Sequence, residues 1–147
     1  MEEEEHELTR IEKIEHEHKL VQRKFHKRNE PEKGGYATLS DYWKEFGHVV
    51  QHTMHLKSSS SIQLLLNLTG EFHDVCDAYE RDAEIYEYKE CFDALDFAWQ
   101  TVIEDHQPIS QTDKVRILNV LRDGQDRASL FGLNQVYHHA TEMLDGD

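Results

Sequence analysis

The sequence predicts an all-α protein, a bundle of about five to six helices forming one domain over residues 1–147. Three observations carry that prediction. Apolar residues recur at three- and four-residue spacing through most of the chain, strand-like alternation appears nowhere, and both prolines, Pro31 and Pro108, fall at breaks in the periodicity. A chain of this length buries about 68–70% of its unfolded surface and supports its own core. Only 37% of the residues are apolar and 31% are charged, so the core positions must be gathered into stripes. Association into a homodimer or larger homo-oligomer would ease that shortage of apolar surface.

The first helix lies within residues 1–29, where Ile11, Ile14, His18, Val21 and Phe25 are spaced 3, 4, 3 and 4 apart. That is the seam of an amphipathic or coiled-coil helix, which either protrudes or packs into a partner groove. Asn29-Glu-Pro-Glu-Lys-Gly-Gly35 has loop composition and ends it. A second helix runs from about Leu39 to Leu56, with Leu39, Tyr42, Trp43, Phe46, Val49 or Val50, and Met54 on one face and Ser40 or Asp41 as its cap. Ser58 to Ser61 reads as a polar loop whose last serine caps a third helix with the stripe Ile62, Leu65, Leu66, Thr69, Phe72, Cys76 and Tyr79. A fourth spans about Ala83 to Asp105, using Tyr88, Cys91 or Phe92, Leu95, Ala98 or Trp99, and Val102. Residues Thr112 to Leu144 hold two more helices, with Asp123-Gly124 as the expected break between them.

Composition excludes several function classes. No stretch approaches the ~20 apolar residues of a membrane span, and the opening Met1-Glu-Glu-Glu-Glu-His-Glu lacks the basic and apolar regions of a secretory signal, so a cytoplasmic protein is expected. Cys76 and Cys91 stand in apolar segments without CxxC spacing, as buried free thiols do. Sixteen Lys and Arg against thirty Asp and Glu give a formal charge of −14, which repels phosphate backbones and argues against direct nucleic-acid binding. The same excess permits an acidic interaction protein or a DNA mimic that occupies a basic partner. A glycine-rich phosphate loop and a nucleophile elbow are both missing from the sequence.

Two acidic doublets are the sharpest chemical signal. Glu71 and Asp74 are three residues apart on the third helix, and Glu90 and Asp93 repeat the spacing on the fourth. Antiparallel packing of the two helices would bring the pairs together, and four carboxylates around one gap resolve their repulsion by taking up protons or a hard cation such as magnesium. The competing reading is that both pairs lie on solvated faces, where most acidic residues are found. Arg81, seven residues after Asp74, either contacts a phosphate or pairs with Asp74, Asp77 or Glu84.

The segments Leu64–Tyr79 and Lys89–Phe97 resemble the MazG-like and dimeric dUTPase superfamily of all-α nucleotide pyrophosphohydrolases, over roughly residues 62–103. The hallmark is ExxE or ExxD on one helix and ExxD on the next, matched here by Glu71xxAsp74 and Glu90xxAsp93 with fifteen residues between them. The resemblance implies a magnesium-dependent nucleoside triphosphate or dUTP-like pyrophosphohydrolase, active as a homodimer or larger. In it Glu71, Asp74, Glu90 and Asp93 hold Mg2+, Glu71 and Glu90 are the residues on which catalysis depends, and one of the four carboxylates also accepts the proton of the attacking water. It also implies Trp43 as an aromatic that stacks on the nucleobase, although a Trp in the stripe Tyr42-Trp43-x-x-Phe46 is more often a core residue. The family commonly adds a downstream Asn and a basic residue; Asn119 and Arg122 have the residue types but not the context, which puts catalysis in doubt more than fold.

The eleven histidines raise a third reading, a His/carboxylate metal site in the bundle. His48, His52 and His55 cluster along one helix, and Glu15xxHis18 and His139xxGlu142 have helical spacing, though the second runs in reversed order. His18 itself takes a seam position, and His138 and His139 cannot both face inward.

Overall fold

Helix α1 (Glu2–His26) buries Ile14 and Val21, half-buries Ile11 and Phe25, and lies directly against α2. From Ile11 onward the first helix therefore packs, while Leu8 is left exposed. The computed structural model describes residues 2–145; Met1, Gly146 and Asp147, included in the single-domain expectation, lie outside the described residues. A 3-10 turn at Pro31–Lys33 and Gly34, in the left-handed region at φ 87°, turn the chain into α2 (Leu39–Met54). The cap is Thr38, whose Oγ1 accepts the Asp41 N–H at 3.1 Å, rather than Ser40 or Asp41. The reason is packing: Leu39 is buried, so the helix begins there and its cap precedes it.

Helix α3 (Ser60–Ala78) buries the whole expected stripe. Ser61 does not cap it. It is buried inside the first turn with its hydroxyl 3.2 Å from His106 Nε2, which ties the start of α3 to the end of α4 (Ile85–Asp105). Helix α4 begins two residues later than Ala83 and buries Tyr88, Cys91, Phe92, Leu95, Ala98, Trp99 and Val102. Trp99 Nε1 donates to Thr69 Oγ1 at 3.0 Å, so the one polar atom of the largest core side chain is satisfied. Both cysteines are buried and free.

Helix α5 (Gln111–Leu130), capped by Ser110 Oγ accepting from the Asp113 N–H, passes straight through Gly124. The expected break is thus displaced to residues 131–137, before α6 (His138–Asp145). Gly124 is a contact residue instead: a Cβ there would stand 2.4 Å from His73 Nε2 and 2.6 Å from Tyr137 Cε2. The absence of a side chain lets α5 approach α3 closely. Helices α2 and α4 form the centre, with α1 on α2, α6 on α4, and α3 touching α2, α4 and α5. The result is an all-α bundle of six helices among the described residues. Fully buried Phe46, Phe72, Phe92 and Trp99 join the layers, each contributing about 1.5–3 kcal/mol of burial.

Candidate functional site

Of the four carboxylates paired in sequence, Glu71 is the best ordered by its neighbours. It projects from α3 toward α1, where His18 Nε2 donates to Oε2 at 2.8 Å and Gln22 Nε2 donates to Oε1 at 2.7 Å. Its side chain keeps 26% of its exposure, so it is neither a core group nor a free surface acid. His18 thus faces a carboxylate from the hydrophobic seam, and α1 is fastened to α3 through side chains.

Asp74, 73% exposed, receives the Arg127 guanidinium from α5 at 2.7 Å. Asp93, 59% exposed, is paired with Lys89 one turn earlier at 2.6 Å, a contact of two surface side chains. Glu90 is exposed. Among the described residues no group of three or more His, Cys, Asp or Glu side chains is arranged to hold a metal ion. The single four-carboxylate ligand set expected from the two doublets is therefore not assembled. The physical reason lies in helix phase: α4 turns Cys91, Phe92, Leu95 and Asp96 inward, which leaves Glu90 and Asp93 on the outward side.

The remaining sequence candidates also separate. Arg81 is not on the α3 face, because that helix ends at Ala78 and Arg81 lies exposed in the following turn. Trp43 is half-buried against Phe46 and Phe72 at ring separations of 5.7 and 5.3 Å. It borders a groove with Gly47, Val50, Met54 and exposed Phe97, separate from the one that Glu71 lines. The histidines disperse likewise: His52 meets Glu17 at 3.2 Å, His138 meets Glu142 at 3.1 Å, and His139 meets Asp96 at 3.1 Å. His138 and His139 are both exposed, so neither faces inward.

Glu71 and Asp74 do share one cavity. About 180 Å3 in volume, it is bounded by Gln22, Phe25 and His26 of α1, Tyr42 of α2, and Glu71, Asp74 and Val75 of α3. Exposed His26 and Asp74 and buried Tyr42 and Val75 all line it, so it runs from the surface into the core. The Tyr42 hydroxyl is buried without a hydrogen-bond partner among the described residues. Burial, and then the charge of Glu71, raise its pKa well above the ordinary phenol value.

A second polar cluster, which the sequence did not disclose, sits between α3, α4 and α6. His73 is fully buried, its Nε2 is 2.7 Å from the Tyr137 hydroxyl, and its ring stacks on Phe92. Its Nδ1 has no hydrogen-bond partner among the described residues and lies 3.8 Å from Asp123 Oδ2. Burial lowers the His73 pKa to about 4 against the opposing pull of Asp123, so the ring is neutral near pH 7. Asp96, also buried, accepts the Ala140 N–H at 2.9 Å and holds the start of α6 against α4. The only sequence hint of this cluster was that His73 and Asp96 fall within apolar helical stripes, where a polar residue needs a partner.

No family model, curated protein or solved structure matches the chain.

Proposed function

We propose that the protein is a non-catalytic acidic helical interaction protein that receives a partner with a basic surface, a DNA-binding protein being the natural example. One observation carries this reading: the acidic doublets do not converge on one site. Asp74 and Asp93 are held by Arg127 and Lys89, Glu71 by His18 and Gln22, and Glu90 faces outward. As arranged they do not fit magnesium, which demands oxygen ligands in near-octahedral geometry. What remains is a formal charge of −14, with exposed Asp77, Glu80, Asp82 and Glu84 crowding the turn between α3 and α4. Such a surface attracts a basic partner over several ångströms and selects by charge complementarity.

The test is association with a panel of basic DNA-binding proteins, followed by calorimetry across a salt series. The expected result is binding that weakens steeply as the Debye length falls from about 10 Å at 0.1 M to about 3 Å at 1 M. A magnesium-dependent nucleotide pyrophosphohydrolase is the second reading, favoured by the one cavity that Glu71 and Asp74 share. It predicts pyrophosphate release in a screen of nucleoside triphosphates with magnesium, and loss of that release in Glu71→Gln and Glu90→Gln. Turnover of this kind, without salt-sensitive binding to any basic protein, overturns the interaction reading.

A further inference from the structure

We propose that the cavity between α1, α2 and α3 is a binding site for a guanidinium group, with Glu71 as counter-ion and Phe25 and Tyr42 as aromatic walls. The proposal deepens the interaction reading, since an arginine of a basic partner is the obvious carrier of that group, but its chemistry rests on the cavity itself.

Four features point to a planar organic cation. The Glu71 carboxylate is held in place by the His18 and Gln22 donors at 2.8 and 2.7 Å, and each oxygen retains a further lone pair. Phe25 and Tyr42 meet edge to face at a ring distance of 5.6 Å and line the cavity with aromatic surface, against which a guanidinium group packs while it bonds a carboxylate through a rigid fork. Phe25 already makes this class of contact with the chain's own Arg28, whose guanidinium carbon is 4.3 Å from the ring centroid. The Tyr42 hydroxyl is buried without a partner among the described residues while its side chain lines the cavity, and a ligand N–H that reached it would give the phenol oxygen a donor.

Other occupants fit less well. Water finds partners at Gln22, Glu71 and Asp74 but none at Phe25 or Val75, so it leaves the apolar part of a cavity of about 180 Å3 poorly solvated. A magnesium ion seeks hard oxygen ligands, whereas Asp74 is committed to Arg127 and much of the wall is apolar. An alkylammonium has the charge but neither the plane nor the fork.

The experiment is an amide-resolved NMR titration of the full chain with methylguanidinium chloride, with methylammonium, magnesium and sodium chlorides at matched ionic strength. Saturable shifts at Gln22, Phe25, Tyr42, Glu71 and Val75 are expected from methylguanidinium, with methylammonium weaker on the order of tenfold and the metal salts inactive at these residues. Glu71→Gln is expected to abolish the response. Because Glu71 also fastens α1, Tyr42→Phe provides a second variant that keeps the ring and is expected to weaken binding several-fold while circular dichroism reports an unchanged fold. No saturable shift, or the same shifts from magnesium at lower concentration, overturns the proposal. Peptides of equal charge carrying arginine or lysine then separate a protein-borne ligand from a free one. If the arginine peptide binds and neither variant alters its affinity, the cavity proposal fails and the acidic interaction reading stands. If methylguanidinium saturates the cavity while no basic protein or peptide binds, the cavity proposal stands for a small free ligand and the interaction reading fails.

Discussion

Gly124→Ala is a direct test of how α5 is seated. The new methyl would stand 2.4 Å from Nε2 and 2.5 Å from Cε1 of His73, and 2.6 Å from Cε2 of Tyr137, closer than real side chains pack. Neither ring has room to yield: His73 is fully buried and stacked on Phe92 with centroids 5.8 Å apart, and Tyr137 is 1% exposed. Either α5 withdraws from α3, at an overpacking cost of about 1–3 kcal/mol, or the 2.7 Å contact between His73 and Tyr137 is lost from the core, at about 1–3 kcal/mol. Against this, Ala gains about 1 kcal/mol over Gly in a helix interior. The net expectation is a destabilisation of about 1 kcal/mol. Gly70 in α3 is the control, because a Cβ there meets nothing within 4 Å. Gly70→Ala should stabilise by up to about 1 kcal/mol. Urea unfolding followed by circular dichroism measures both, and two variants that shift the midpoint upward by the same amount refute the close seating of α5 on His73.

Further outcomes follow from the same core. His73 has a pKa lowered by burial to about 4, below its unfolded value of about 6.5, so the unfolded chain binds more protons between these limits. Its contribution is fully present above about pH 6.5 and is lost as the pH falls toward 4, a loss of about 3 kcal/mol. His73→Gln should flatten that part of the stability profile in pH-dependent denaturation. Asp96→Ala strands the buried Ala140 N–H, and should cost about 1–3 kcal/mol and speed amide exchange throughout α6. Burial pushes the Cys76 and Cys91 thiols up, so a thiol reagent should label neither in the native protein and both in denaturant. Lys89→Ala should leave the urea midpoint where it is, because the ion pair with Asp93 is exposed on both sides and solvent screens it.

Much of the architecture was legible because helical periodicity is a local property. The seams Ile14/Val21, Tyr42/Phe46, Leu65/Phe72 and Leu95/Val102 are buried where their spacing placed them. Misplaced features were those where a local signal had a non-local use. Asp123-Gly124 has the composition of a helix stop, yet the glycine serves a contact with His73, fifty-one positions earlier. Ser61 has the chemistry of a cap, yet its hydroxyl meets His106 at the far end of α4.

The candidate site divides along the same line. Three-residue spacing does place Glu71 and Asp74 on one side of α3, and both reach the same cavity. Spacing cannot tell which way α4 is rotated about its axis, and that rotation follows from packing Phe92, Leu95 and Trp99 into the core, which sends Glu90 and Asp93 outward. Nor does spacing reveal that Arg127, from a helix beyond the acidic motifs, takes Asp74, or that His18 and Gln22 take Glu71. The sequence alone determined the helices, their buried faces and the acidic character of the surface, since these depend on neighbours within a turn or two. Tertiary structure alone decided which charges meet and where a cavity opens, because those depend on how rigid helices are rotated and stacked to bury their largest side chains.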